Sequence, residues 1–226
     1  MPVLHRPSEP ASQTAPVGFS TKMSGFPIGG DFCRPIGYPL HRQKMLSADF
    51  LTEFKRATEA KWREKSIDPT LYGFQFQRGT RWNQGLSDEM VTEYERDLGV
   101  RLPHDFKEFL REMNGTDLAT LNVYGSCGES PRESVGVYSY PKDIETVKAR
   151  MEHIRGSRAD IASDLAGQGF ELPTDATLVP IFIHRFVLCT SDPSSSVVLS
   201  IVVNATDAIV YGNSLREYLE KEFLTD

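Results

Sequence analysis

Cysteine is scarce in this sequence, and its three copies, Cys33, Cys127 and Cys189, lie far apart. An odd, scattered set makes neither a disulfide framework nor a zinc site, and a reducing, cytoplasmic setting suits it. Long apolar runs are also missing. None approaches the roughly 20 residues a membrane helix requires, and residues 1–21 hold no apolar h-region of a secretory signal. No membrane partner is therefore expected, and the sequons at Asn114 and Asn204 read as chance matches. Metal-binding patterns are absent as well: His5, His41, His104, His153 and His184 are scattered, with no pair at i, i+4 spacing.

Basic charge is in deficit where most of the chain lies. Residues 1–45 hold five Lys/Arg and two acids, whereas the remainder holds 20 basic against 29 acidic residues, a net −9. Such a body does not suit a nucleic-acid binder, whose affinity comes from neutralising phosphates. It suits a basic protein partner drawn in by the field, or it serves solubility alone.

The first 45 residues contain seven prolines and no hydrophobic periodicity. They read as a flexible or extended arm, residues 46–226 as a single domain. Met23 and Met45 leave open a later start. Helical signals begin at Ser47, which can cap a helix carrying Phe50, Leu51 and Phe54 and ending near Asp68-Pro69. Tyr72 to Gly85 reads as extended and loopy, anchored by Trp82. Ser87 caps a helix with Asp88 and Glu89 in its first turn and Gly99 at its end. Pro103 opens another at its first helical position, with the stripe Phe106, Phe109, Leu110, Met113, and Asn114-Gly115 stops it. Strands are expected at residues 119–124 and 135–140. A helix then carries Ile144, Val147, Met151 and Ile154 inward, and a shorter one contains Ile161 and Leu165. The segments 178–183, 185–190, 197–203 and 208–211 read as strands joined by short links, hence antiparallel. Ser214 and Glu217 form a capping box for a last helix burying Leu215, Tyr218, Leu219 and Phe223. The order gives an α+β fold, with an antiparallel sheet of about four to six strands packed against N-terminal and C-terminal helices. The apolar stripe of the Pro103 helix is expected to pack on that sheet.

Two stretches then resemble a known family. Glu95-Arg96-Asp97-Leu98-Gly99 followed by Leu102-Pro103-His104-Asp105-Phe106 and Asn114-Gly115 is similar to the opening motif of the SUKH (Smi/Knr-type) superfamily. Leu178–Phe182, His184-Arg185-Phe186, Val198–Ile201 and Asp207–Gly212 resemble the strand half of its bacterial members, closing helix included. Trp82 and Gly85 stand where many members place a Trp and a Gly. The resemblance covers about residues 80–226. It implies a compact α+β domain without cofactor or catalytic residues. Bacterial members resemble immunity proteins for toxins, many of them nucleases, and fungal members resemble regulators of cell-wall synthesis and signalling. The expected function is thus non-catalytic binding of a cognate, basic protein toxin by a monomer or weak homodimer. The alternative is a regulatory or scaffold role without a toxin partner.

Catalytic chemistry finds little support. Cys127 or Cys189 with His184 or His153 lacks any nucleophile elbow, and Gly125-Ser126-Cys127-Gly128 lacks the Gly-Lys-Ser/Thr of a phosphate loop. The candidates for partner contact are polar and aromatic instead. Asp88, Glu89 and Glu93 are exposed acids suited to a rim. Tyr124, Tyr138, Tyr140 and Tyr211 lie near strand ends, as half-buried core or as an interface edge. His184-Arg185 interrupts two apolar strands, as a hairpin turn with a structural ion pair or as a polar contact on the binding face.

Overall fold

The computed structural model describes residues 46–125, 128–202 and 207–225. The proline-rich segment 1–45, Cys127, and the turn expected at 204–207, save Asp207, lie outside the described residues.

Ser47 caps α1 (Ala48–Glu64), its hydroxyl accepting from the Phe50 N–H at 3.2 Å. The helix ends four residues before Asp68 and buries Leu51, Phe54, Thr58 and Trp62. The segment expected to be loopy holds two short strands, β1 (Tyr72–Phe76) and β2 (Trp82–Gln84). Ser87 and Gly99, the latter left-handed at φ 67°, bound α2 (Asp88–Leu98) as their residue types dictate. α3 (His104–Glu112) has Pro103 at its N-cap, one position before the expected one. Asn114-Gly115 does not end it as a turn. The chain passes straight into β3 (Met113–Thr116), which pairs with β2. Gly85 is required at this junction, since a Cβ would stand 1.8 Å from the Arg111 carbonyl oxygen.

β4 (Thr120–Tyr124) is the centre of a three-stranded antiparallel sheet, between β1 and β5 (Arg132–Ser134). The strand expected at residues 135–140 is not one. Only Val137 makes an isolated bridge, to Phe182. Val135 is exposed, and Val137, Tyr138 and Tyr140 are buried with a side-chain clasp instead of a ladder: Asn114 accepts from the Tyr140 N–H at 2.8 Å and donates to the Tyr140 carbonyl at 2.7 Å.

α4 (Ile144–Gly156) and α5 (Arg158–Ala166) follow. The largest sheet is antiparallel, in the order β6 (Thr177–Phe182), β7 (Arg185–Cys189), β8 (Val198–Val202), β9 (Asp207–Gly212). Its strands read as nearly continuous apolar runs because both faces are covered. Val187 and Cys189 face the aromatic core, while Phe186 and Leu188 face a second cluster with Ile161 and Leu165. Pro180 has no N–H to give, and β6 is an edge strand that tolerates it.

The Ser214 hydroxyl accepts from the Glu217 N–H, capping α6 (Leu215–Leu219), which runs on as a π turn over Glu220–Leu224. The Glu217 carboxylate accepts from Asn213, one residue beyond the capping-box position. The α3 stripe is buried, but its ring neighbour is Trp82, edge-on to Phe109 at 5.8 Å. α3 packs on α1, α2 and α6 and shares the aromatic core with the sheet.

Candidate functional site

The residues singled out in the sequence do not converge on one place. Asp88 and Glu89 open α2. The Asp88 carboxylate accepts from Arg111 Nε at 2.7 Å, and Glu93 lies 3.8 Å from Arg96. The Glu89 carboxyl is held below its ordinary range by its own backbone N–H and by the Ser87 hydroxyl. Tyr138 and Tyr140 are buried. The Tyr140 hydroxyl donates to Asp97 at 2.8 Å, and its ring lies 4.7 Å from that of Tyr94.

Arg185 is buried, with a filled set of partners. Nε donates to Glu222 at 2.9 Å, Nη1 donates to Ser200 at 2.7 Å, and the guanidinium lies over the Tyr211 ring. It is a structural ion pair in the body of β7. His184, by contrast, lines a cleft, and Tyr124 meets one of the cleft's residues, Tyr72.

That cleft, about 970 Å³, opens between β1, α4 and the turn joining β6 to β7. Tyr72 and Phe74 of β1 form one wall, and Arg150 and His153 of α4 form another. Phe186 lies at its floor and Val202 at its mouth. The strand period of two puts Tyr72, Phe74 and Phe76 on one face. Phe76 stacks on Phe182 at 5.5 Å inside the core, Phe74 is half-buried beside His184 at 6.2 Å, and Tyr72 is 79% exposed. A core face thus runs out into the open. Tyr72 meets Tyr124 edge-on at 6.3 Å, and Asn122 donates to the Tyr124 hydroxyl at 3.2 Å.

The β6–β7 turn has an unusual backbone. Ile183 sits at φ 47°, a left-handed conformation that β-branched residues rarely adopt. Arg150 Nη1 donates to its carbonyl at 2.9 Å, and the His184 carbonyl accepts from the Ile201 N–H at 2.9 Å. Burial, and then the cations Arg185 and Arg150, push the His184 imidazole down to about 4. It is therefore neutral at pH 7, able to donate from one nitrogen and accept at the other.

Of the cleft's lining, sequence reasoning singled out His184 but not Tyr72, Phe74, Arg150 or Val202. A signal existed for Arg150: it lies one turn from Val147 and Ile154, a cation on the inward stripe of α4. Nothing local ties Tyr72 to a residue 78 positions later.

Burial raises the Cys189 thiol far above its ordinary range, with Glu95 adding to the effect, so it is no thiolate nucleophile. Among the described residues no group of His, Cys, Asp and Glu could hold a metal ion, and no helix is long and apolar enough to cross a membrane.

A comparison with curated proteins gave no significant match. A family model described as the SMI1/KNR4 family (SUKH-1) matches residues 85–221. The match starts at the tight Gly85 junction and runs through α6, more than half of the chain; α1 and β1 precede it. The chain belongs to the SMI1/KNR4 (SUKH-1) family.

Proposed function

We propose that this protein is a non-catalytic immunity protein, which binds a cognate protein toxin in the cytoplasm and blocks its active site or substrate path. The observation that carries the reading is the open cleft with exposed aromatic and apolar residues, on a domain whose family includes toxin-immunity proteins. Charge supports a basic, nucleic-acid-directed toxin. The acids outnumber the bases by nine beyond residue 45, and Glu89 and Glu93 stand exposed on α2, where a cationic partner gains at long range. The test is co-expression with the toxin encoded beside this gene. Survival of the cells and a co-purifying complex are expected. Death at the rate seen without the protein, with no complex, would end the immunity reading and leave a regulatory or scaffold role.

A further inference from the structure

We infer that the cleft between β1, α4 and the β6–β7 turn receives an acidic, aromatic-bearing peptide segment of the partner; that the partner is the toxin rests on the function proposed above. The first observation is charge. Arg150 reaches into the cleft with a neutral carbonyl, that of Ile183, as its hydrogen-bond acceptor and the Tyr138 ring 5.8 Å away. Among the described residues Arg150 meets no carboxylate; Arg158 of α5 likewise donates only to carbonyls, so what sets Arg150 apart is its place in the cleft beside exposed aromatic and apolar residues. The acid at the cleft, Glu145, is turned to Lys148 at 3.6 Å. A half-buried guanidinium without a counter-ion, inside an acidic protein, is a place made for a carboxylate.

The second observation is shape. The apolar surface does not stop at the cleft mouth: Tyr72 is 79% and Val202 42% exposed there. A free small ligand would be enclosed within its pocket, whereas a chain crossing the mouth would cover these flanking residues too. An aromatic ring of that chain fits between Phe74 and Val202, with His184 beside it as a neutral donor or acceptor. The third observation is strain. Ile183 holds a disfavoured backbone at the cleft, and Arg150 anchors it there, as is common where a site is held in shape for a ligand. Tyr72 and Phe74 precede the residues that the family model matches.

The test needs no knowledge of the toxin. Random heptapeptides displayed on phage are selected on the full chain, and a selected peptide is measured by fluorescence anisotropy. Sequences pairing Asp or Glu with Phe, Tyr or Trp are expected. Tyr72→Ser and Val202→Asp, at exposed positions that leave the fold intact, should weaken binding. Arg150→Ala should weaken it by about tenfold or more, as loss of a charged hydrogen bond requires. Arg150→Glu should bind the same peptide once its acid is changed to Lys, and Asp160→Ala, on α5, should change nothing. Selection of basic peptides, failure to select any, or affinity indifferent to Tyr72 and Val202 would overturn the inference. A loss of protection in the co-expression assay with peptide binding intact would strike the immunity reading alone.

Discussion

The guanidinium of Arg185 lies 3.8 Å from the centre of the Tyr211 ring while its Nε donates to Glu222. The pair joins β7 to the C-terminal π turn, and both side chains are largely shielded from water. Removing one partner strands the other charge, so Glu222→Ala should destabilise by about 3 kcal/mol, the usual cost of breaking a buried pair. The double change Arg185→Met, Glu222→Leu should recover most of that loss. Urea unfolding of the three proteins checks this. A Glu222→Ala midpoint equal to wild type would mean that the pair is solvated.

Phe109 is 1% exposed and meets Trp82 and Phe106. Phe109→Ala leaves a cavity among rings that cannot collapse into it, and should cost about 3–5 kcal/mol. Chemical denaturation measures this directly. A loss below about 1 kcal/mol would contradict the burial.

Much of this was legible where the cause is local. Ser87 and Gly99 bound α2, and Ser214 caps α6, because each acts on backbone groups within four residues. β6 to β9 declared themselves through apolar runs. The rest depends on contacts distant in sequence. β5 is charged and gives no strand signal, yet β4 recruits Arg132–Ser134. Residues 137–140 look like a strand because they are buried, but Asn114 holds them. Asp105 reads as a helix-start carboxylate. In the fold it also accepts from the Leu46 N–H and the Ser196 hydroxyl, and Ser196 in turn accepts from the Leu215 N–H. The cleft is the extreme case, joining positions 72, 150, 183 and 202.

Leu46 is buried and its N–H is bonded to Asp105, so the domain includes Leu46. Deleting residues 1–40, with their many prolines, should leave the melting temperature nearly unchanged. Extending the deletion through Leu46 should lower it. A large drop from the shorter deletion alone would move the boundary upstream.

His184 gives stability a pH dependence of definite sign. The folded imidazole, held down to about 4, resists protonation, while the unfolded one titrates near 6.5. Its contribution is therefore whole above pH 6.5 and is lost as pH falls toward about 4. The ring is only half-buried, so the effect is modest. Melting temperatures of wild type and His184→Gln should diverge least at pH 5 if the variant is the less stable at pH 7.5. Parallel curves from pH 7.5 to 5 would show that His184 takes up its proton freely in the fold.

Association with the toxin should separate into steering and holding. Glu89 and Glu93 are exposed on α2, away from the cleft residues, so they act through the field. Glu89→Lys and Glu93→Lys should slow association and leave dissociation almost unchanged, and rising salt should slow wild type in the same way, since exposed charges are screened beyond about 8 Å at physiological ionic strength. Asp88→Lys is a poorer probe, because it also strips Arg111 of a partner and a helix start of its favoured acid. Dissociation should respond to contacts that exclude water at the centre of the interface. Arg185 is 9% exposed and already paired, so its replacement acts on stability. Tyr72 at the cleft is free to be covered, and Tyr72→Ala should speed dissociation with little change in association. Stopped-flow rates against salt for these variants decide the matter. Salt-independent association, or Lys substitutions that act on dissociation alone, would show that the acids of α2 sit inside the contact instead of steering toward it.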